Sequence, residues 1–124
     1  AARAVHDKVQ FLRRVEILSP LSRRDLYRLA EVLTPVTFTN GSCIVNQGEA
    51  GSAFYIIKSG QVSVFKRDAS EGAKPEDVEV IRLGIGSYFG EQALIHKQPR
   101  AASVRAINTV ECLAMHGEFF SPLL

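Results

Sequence analysis

The sequence predicts a mainly β fold, an eight-stranded β-barrel or jelly roll with helices before it. Three observations lead to this fold class. The chain has 124 residues, which suits one domain with one core. Residues 1–34 contain two apolar patterns at helical spacing, whereas from Pro35 onward short β-type runs alternate with turn residues. Such a series of short strands is typical of small closed or double-sheet β folds.

Composition excludes several classes of function. Hydrophobic residues make up 46% and charged residues 23% of the chain, which is ordinary for a globular domain. A formal net charge of +2 is too small to indicate a nucleic-acid partner. No apolar run approaches eighteen residues, and no signal-peptide or lipidation pattern occurs, so we expect no membrane segment in this chain and a cytoplasmic location.

The cysteines and histidines do not indicate a metal or disulfide framework. Cys43 and Cys112 lie in strand-like runs without CxxC spacing, and we interpret them as buried free thiols. The histidines, His6, His96 and His116, are scattered, which argues against a metal centre. We therefore expect no metal and no cofactor.

Two helices are predicted before the strands. The first covers Ala4–Leu18, with apolar residues at helical spacing, and ends at Ser19-Pro20. The second begins at Ser22, an N-cap whose capping box is completed by Asp25. Leu21 and Leu26 can form a hydrophobic staple around this cap. We expect both helices to pack on the outside of the β structure.

The strands are predicted from the runs between turn signals. Asn40-Gly41 and Ser59-Gly60 each separate two runs and predict two hairpins. A polar loop is expected over Arg67–Asp77. The predicted runs are Pro35–Thr39, Ser42–Gln47, Phe54–Lys58, Val62–Lys66, Val78–Leu83, Ser103–Ile107 and Thr109–Met115. From Glu118 onward we expect the start of a helix.

The stretch FGEQALIHKQPRAAS, Phe89–Ser103, predicts an anion site. Gly90 has no Cβ, so the backbone can approach a ligand closely there. A short helix over Glu91–Ile95 would present unpaired amides and the positive end of its dipole. Pro99 ends that helix and directs Arg100 inward, where a planar guanidinium suits a phosphate.

Glu91 cannot usefully contact a phosphate, because both groups are negative. A carboxylate beside a phosphate site is better explained as an acceptor for sugar hydroxyls. The residues therefore predict a ligand with one phosphate and a ribose.

This stretch resembles the phosphate-binding cassette of cyclic nucleotide-binding domains. Its spacing from Phe89-Gly90-Glu91 to Pro99-Arg100-Ala101-Ala102 is similar to that of the regulatory subunits of cyclic AMP-dependent protein kinase. Upstream, QGEAGSAFYIIKSGQVSVF is similar to the glycine-punctuated strands of the same family. The resemblance implies one cyclic nucleotide-binding domain over 1–124, with N-terminal helices (1–34), a barrel (35–115) containing the cassette (89–103), and the start of a C-terminal helix (116–124).

The resemblance also implies the roles of the site residues. Glu91 would bind the ribose 2′-hydroxyl and Arg100 the exocyclic phosphate oxygens, with the amides of Gly90, Ala93 and Ala101 nearby. Gln92 and Ala102 complete the predicted ligand-binding set, and no residue is assigned a catalytic role.

The base preference depends on the residue after the arginine. Cyclic GMP-dependent kinases usually carry a threonine there, whereas this chain has Ala101, which favours cyclic AMP. Gln92 departs from the apolar residue that is usual in cyclic AMP-dependent subunits, and long polar side chains occur there in some cyclic GMP-dependent domains. The family's base-covering helix would lie beyond Leu124.

The sequence therefore predicts a regulatory binding module without chemistry of its own. The ligand would be cyclic AMP, with cyclic GMP possible, and the partner a serine/threonine kinase catalytic subunit or a kinase domain in the same parent chain. The alternatives are a cyclic GMP-binding domain of a cyclic GMP-dependent kinase and a structural domain with a degenerate site. A metal-dependent enzyme on a similar barrel would need clustered histidines, and phosphorylation of Ser103 would need that serine to be accessible.

Overall fold

The computed structural model describes residues 2–51, 53–68, 76–90 and 99–116. Helix α1 (Ala2–Leu12), a 3-10 turn (Glu16–Leu18) and helix α2 (Arg23–Val32) precede the strands. The strands are β1 (Thr34–Phe38), β2 (Cys43–Val45), β3 (Ala53–Ser59), β4 (Val62–Asp68), β5 (Glu76–Leu83), β6 (Tyr88–Phe89), β7 (Ser103–Ala106) and β8 (Val110–His116).

These strands form two four-stranded sheets. One sheet has the order β1-β8-β3-β6 and the other the order β2-β7-β4-β5, and the strand pairs within them are antiparallel. Successive strands often lie in different sheets, as in a jelly roll. The predicted fold class is confirmed.

The first predicted helix is wrong in length. Helix α1 ends at Leu12, and the amides of Arg14 and Val15 then donate to carbonyls only three residues earlier. The apolar residues Val9, Leu12 and Val15 are spaced by three, which a helix and a tightening turn satisfy equally well. Val15 is consequently buried, at 1% exposure, although it lies outside the helix.

The predicted start of the second helix is confirmed. The amide of Asp25 donates to Ser22 Oγ at 3.1 Å, and Ser22 Oγ donates to Asp25 Oδ2 at 2.9 Å. Leu21 and Leu26 belong to one apolar cluster, as the staple requires.

The helices cover the outer face of the first sheet. Their apolar residues share a core cluster with side chains of β3 and β8: Phe54, Ile56, Leu113 and Met115. Lys8 Nζ of α1 also donates to the Leu33 carbonyl at 3.0 Å, just past the end of α2. None of the described helices combines the length and the apolar character needed to cross a membrane.

The two predicted hairpins are wrong, although their turns exist. At both turns the chain crosses to the other sheet, because β1 and β3 lie in one sheet and β2 and β4 in the other. The polar groups of these corners bond to the end of β7 and to the β7–β8 connection instead. Gly41 donates to the Ala106 carbonyl at 2.7 Å, and the amide of Gln61 donates to Asn108 Oδ1 at 2.8 Å.

Gly60 shows why the second corner needs glycine. Its φ is +88°, and a Cβ there would lie 2.9 Å from Val110 Cα and also collide with the Thr109 carbonyl oxygen. The corner therefore lies directly against the start of β8.

In the second sheet, β2-β7-β4-β5, the consecutive strands β4 and β5 form a hairpin. The predicted polar loop is too long, since Arg67 and Asp77 face each other in the ladder and form a salt bridge at 3.0 Å. A bulge at Val80 places Glu79 and Arg82 on one face, where they pair at 2.7 Å. Strand β5 is exposed along most of its length, because it forms the edge of the sheet as described.

The space between the sheets is filled by a second apolar cluster, which includes Val62, Val104, Val110 and Cys112. The prediction of free thiols is confirmed, but only Cys112 is buried. Cys43 is exposed, because it lies at the start of a three-residue strand. Burial raises the pKa of the Cys112 thiol to about 12.

We expect Gly60→Ala to destabilise the fold more than Gly41→Ala. Both glycines have φ of +88°, which costs any other residue about 1–2 kcal/mol. A Cβ at Gly41 meets nothing within 4 Å, whereas one at Gly60 overlaps the β8 backbone, which adds roughly 1–3 kcal/mol. Urea unfolding of both variants measures the difference, and equal losses of unfolding free energy would show that the close approach at Gly60 is relieved without cost.

Stability should fall at alkaline pH because of Cys112. The unfolded thiol ionises near its ordinary value of 9.0, while the folded thiol stays neutral to about 12. Below pH 9 the thiol therefore contributes no pH dependence, and above it the unfolding free energy decreases, by up to about 1.4 kcal/mol per pH unit. Urea unfolding between pH 7 and 10.5 should give a shallower alkaline decline for Cys112→Ala than for wild type. Cys43→Ala is the comparison for the other thiol, whose pKa burial also raises, and the same decline in wild type and Cys112→Ala would contradict the expectation.

Candidate functional site

The candidate site lies where the segment after β2 meets the segment before β7. Ala50 and Pro99 form an isolated antiparallel bridge. Beside it, the amide of Gly48 donates to the Arg100 carbonyl and the amide of Arg100 donates to the Glu49 carbonyl, both at 2.8 Å. These bonds hold the main chain of Arg100 on both sides of its Cα.

The side chain of Arg100 points into the molecule and is only 7% exposed. Its Nη1 donates to the Gly90 carbonyl at 2.8 Å, and its Nη2 donates to the Ala53 carbonyl at 2.6 Å. A buried charge is costly unless it is hydrogen-bonded, and these two main-chain carbonyls accept from two of the guanidinium nitrogens. The two bonds hold the guanidinium in a fixed orientation.

Gly90 is required by this arrangement. Its φ is +96°, and a Cβ there would lie 2.7 Å from Arg100 Nη1 and 2.8 Å from the Ala53 carbonyl oxygen. Among the described residues, the groups that approach the backbone closely at Gly90 are the Arg100 guanidinium and the Ala53 carbonyl, and the approach of a ligand there stays a prediction.

A cavity of about 130 Å³ opens beside the guanidinium. Ligand pockets usually measure about 300–1,000 Å³, so the walls described here enclose only part of a nucleotide-sized ligand. The lining residues are Ile44, Val45, Asn46, Glu49, Ala50, Ala53, Tyr55 and Arg100.

Tyr55 supplies the aromatic wall of the cavity. Its ring stacks on Phe89 at 5.1 Å between centroids and meets Phe38 edge-on at 5.9 Å. Burial raises the pKa of its phenol, although the Arg100 charge acts in the opposite direction. The phenol is thus a neutral polar group beside a cation.

The predicted site residues are only partly within the described chain. The structure brings Gly90 and Arg100 together, leaves Ala101 exposed and half-buries Ala102. Glu91, Gln92 and Ala93, the predicted helix over 91–95 and the predicted helix from Glu118 onward lie outside the described residues.

Sequence reasoning missed the residues on the other side of the cavity. Glu49 and Ala53 contribute main-chain carbonyls, which no side-chain pattern can reveal. Tyr55 follows from the alternation of β3, where Phe54 and Ile56 face the helices and Tyr55 faces the cavity. This signal becomes readable only when the face that packs on the helices is known.

Two alternative functions find no support in this geometry. Ser103 is 8% exposed, and its hydroxyl accepts the amide of Gln47 at 2.8 Å, so it is not presented to a kinase. Within the described part of the chain, no three His, Cys, Asp or Glu residues converge in a way that could hold a metal ion.

Comparison with known proteins identifies a family. Residues 35–124 match the model of the cyclic nucleotide-binding domain. The chain is 37% identical over 121 residues to the cGMP-dependent protein kinase, isozyme 1, of Drosophila melanogaster. This match covers 97% of the chain and 16% of the fly protein, so the chain corresponds to a small part of that kinase.

Solved structures show the same fold. The regulatory domain of Toxoplasma gondii protein kinase A, crystallised with cAMP, superposes with a TM-score of 0.91 at 34% identity and covers 99% of this chain and 46% of that one. The regulatory subunit of a cAMP-independent protein kinase A from Trypanosoma cruzi, bound to guanosine, gives 0.90 at 29% identity, with 98% and 42% covered.

The matched family is one of ligand-binding domains, and the similar structures are regulatory parts of kinases, which confirms the prediction of a module without catalytic chemistry. The family match extends over 90 of the 124 residues, from 35 to 124, and includes Gly90 and Arg100. This chain belongs to the cyclic nucleotide-binding domain family.

Proposed function

We propose that this chain binds cyclic AMP in preference to cyclic GMP and that binding controls a serine/threonine kinase in the cytoplasm. The observation that carries the proposal is the buried Arg100 guanidinium at the wall of the cavity, oriented by the Gly90 and Ala53 carbonyls. A cation held in this way favours an anionic ligand, because the charge is desolvated and oriented before the ligand arrives.

The cavity suits the phosphate end of a nucleotide. Arg100 would take the exocyclic oxygens of the cyclic phosphate, with the amides of Gly90, Ala93 and Ala101 close by. Glu91 would accept the ribose 2′-hydroxyl, and Gln92 and Ala102 would complete the shell around the ligand. The volume of about 130 Å³ leaves the base outside the walls described here, so the base would be bound by other residues.

The base preference is the finer part of the proposal. The similar Toxoplasma gondii domain was crystallised with cAMP, the Trypanosoma cruzi subunit with guanosine, and the fly relative is a cGMP-dependent kinase. Relatives of similar identity thus differ in the base they carry. Ala101 supports cyclic AMP because it lacks the hydroxyl that would meet the guanine amino group, although a missing attraction alone gives a modest preference.

Control of a kinase would require that the ligand change the packing of the helices. Strand β3 supports this idea, since its Ala53 carbonyl holds Arg100 while Phe54 and Ile56 on its other face pack with both helices. A ligand can shift such an equilibrium only by its difference in affinity for the two packings. The partner would be a catalytic subunit or a kinase domain of the same parent chain.

A second candidate is a cyclic GMP-responsive domain of a cyclic GMP-dependent kinase. The 37% identity with the fly kinase favours it. Both candidates need the same Arg100 site, and they differ in which cyclic nucleotide binds more tightly.

Arg100→Ala should abolish or strongly weaken cyclic nucleotide binding. Removing one partner of a desolvated, hydrogen-bonded charge pair costs roughly 2–5 kcal/mol, which corresponds to about 30-fold or more in affinity. Calorimetric titration with cyclic AMP, cyclic GMP and guanosine measures this, with Arg105→Ala as the control because Arg105 is exposed on β7. Equal affinity of the wild type and Arg100→Ala for cyclic AMP would contradict the proposed site.

Ala101→Thr should raise affinity for cyclic GMP and leave cyclic AMP nearly unchanged. One added hydrogen bond contributes about 0.5–1.5 kcal/mol, or roughly two- to tenfold in affinity. Ala101 is exposed, so the larger side chain should not disturb the core. Ala101→Val is the matched control, because valine has the shape of threonine without its hydroxyl, and an equal gain with valine would contradict the hydroxyl argument.

A further inference from the structure

Segment 47–49 is held against the segment from Arg100 to Ser103 by three hydrogen bonds. Ser103 Oγ accepts from the Gln47 amide at 2.8 Å, the Gly48 amide donates to the Arg100 carbonyl at 2.8 Å, and the Arg100 amide donates to the Glu49 carbonyl at 2.8 Å. Two of these bonds end on the main chain of Arg100. The third is made by a side chain three residues further along.

The hydroxyl of Ser103 is unusual for a strand residue in this protein. Among the described residues, Arg100 and Ser103 are the two buried polar side chains, at 7% and 8% exposure. Both lie at the same segment, and the Ser103 hydroxyl pairs with a main-chain amide that a neighbouring strand does not reach. The hydrogen bond from the Gln47 amide to Ser103 Oγ is part-buried, so this hydroxyl helps to determine where the main chain of Gln47 lies.

The side chain of Gln47 holds the segment from the opposite direction. Its Oε1 accepts from the Arg67 amide at 2.8 Å, and its Nε2 faces the Arg67 carbonyl at 3.4 Å. Strand β7 begins at Ser103, opposite Phe65, so the pairing of β4 with β7 stops before Arg67. The side-chain amide of Gln47 extends this pairing beyond β7, because it bonds to both the main-chain amide and the carbonyl of Arg67.

We propose that Gln47 and Ser103 are positioning residues of the ligand site. Together they set the place of segment 47–49, whose main chain holds Arg100 and whose residue Glu49 lines the cavity with the adjoining Asn46 and Ala50. Neither side chain lines the cavity, so both act through Arg100 and the cavity wall. This inference rests on the proposed function, because the effect it predicts is on cyclic nucleotide affinity.

Matched variants separate positioning from general stability. Ser103→Ala removes the hydroxyl, whereas Ser103→Thr keeps it in a residue that strands favour. Ser63→Ala is the control, since Ser63 also makes a hydrogen bond from a strand, to Glu79 at 2.8 Å, but away from the cavity. Gln47→Leu removes the side-chain amide, with Gln10→Leu on the exposed surface of α1 as its control.

Three quantities are measured for each variant: the affinity and dissociation rate of cyclic AMP, the free energy of unfolding in urea, and hydrogen exchange of the Gly48 and Arg100 amides by NMR. We expect Ser103→Ala and Gln47→Leu each to weaken binding about tenfold, mainly through faster dissociation, and to speed exchange of both amides. Ser103→Thr should bind like wild type, and the two controls should change neither affinity nor exchange.

The outcomes distinguish this inference from the proposed function. If wild type binds cyclic AMP and Ser103→Ala binds it equally well, the inference is wrong and the proposed function stands. A Ser103→Ala loss that matches that of Ser63→Ala, or that Ser103→Thr does not restore, also overturns it. If wild type binds neither cyclic AMP nor cyclic GMP, both fail together, although faster exchange in the variants would still establish the hydrogen-bonded segment.

Discussion

The buried guanidinium of Arg100 is the interaction on which the arrangement of the site depends. A charge at 7% exposure has to be hydrogen-bonded, and the carbonyls of Ala53 and Gly90 accept two of its N–H groups. These carbonyls come from different parts of the chain, one at the start of β3 and one just after β6. The need to satisfy one buried side chain therefore fixes the relative positions of three segments.

The burial of the Arg100 guanidinium also requires a glycine at position 90. A Cβ at Gly90 would lie within 2.8 Å of both the Arg100 guanidinium and the Ala53 carbonyl oxygen. Any side chain at this position would separate the carbonyl from the arginine that it orients. The glycine at position 90 and the burial of Arg100 therefore depend on each other.

Strand β3 connects this feature to the rest of the fold. Its alternation places Tyr55 at the cavity and Phe54 and Ile56 in the cluster with the helices, while the Ala53 carbonyl bonds to Arg100. The site and the helices therefore share one rigid element. In the proposed function, a movement of the Arg100 segment on ligand binding would reach the helices through this strand.

Local chemistry made much of the chain predictable. The Ser22 cap, the apolar face of α2, the positions of most strands and the inward direction of Arg100 follow from side-chain spacing and backbone preference, which act over a few residues. Tertiary structure decided which strands pair with each other. The turns at Asn40-Gly41 and Ser59-Gly60 have the local chemistry of hairpins, yet their strands pair elsewhere, and the corners bond to the end of β7 and to the β7–β8 connection.

The same division holds within the site. Gly90 and Arg100, which the structure brings together, were singled out because a residue without Cβ and a planar cation, separated by a short segment that ends in proline, together suit an anion. Glu49 and Ala53 were not, since they contribute only carbonyl oxygens, which every residue possesses. The sequence by itself determined which side chain carries the charge, and the tertiary structure decided which main-chain atoms satisfy it, because contacts between segments distant in the chain depend on how the two sheets pack.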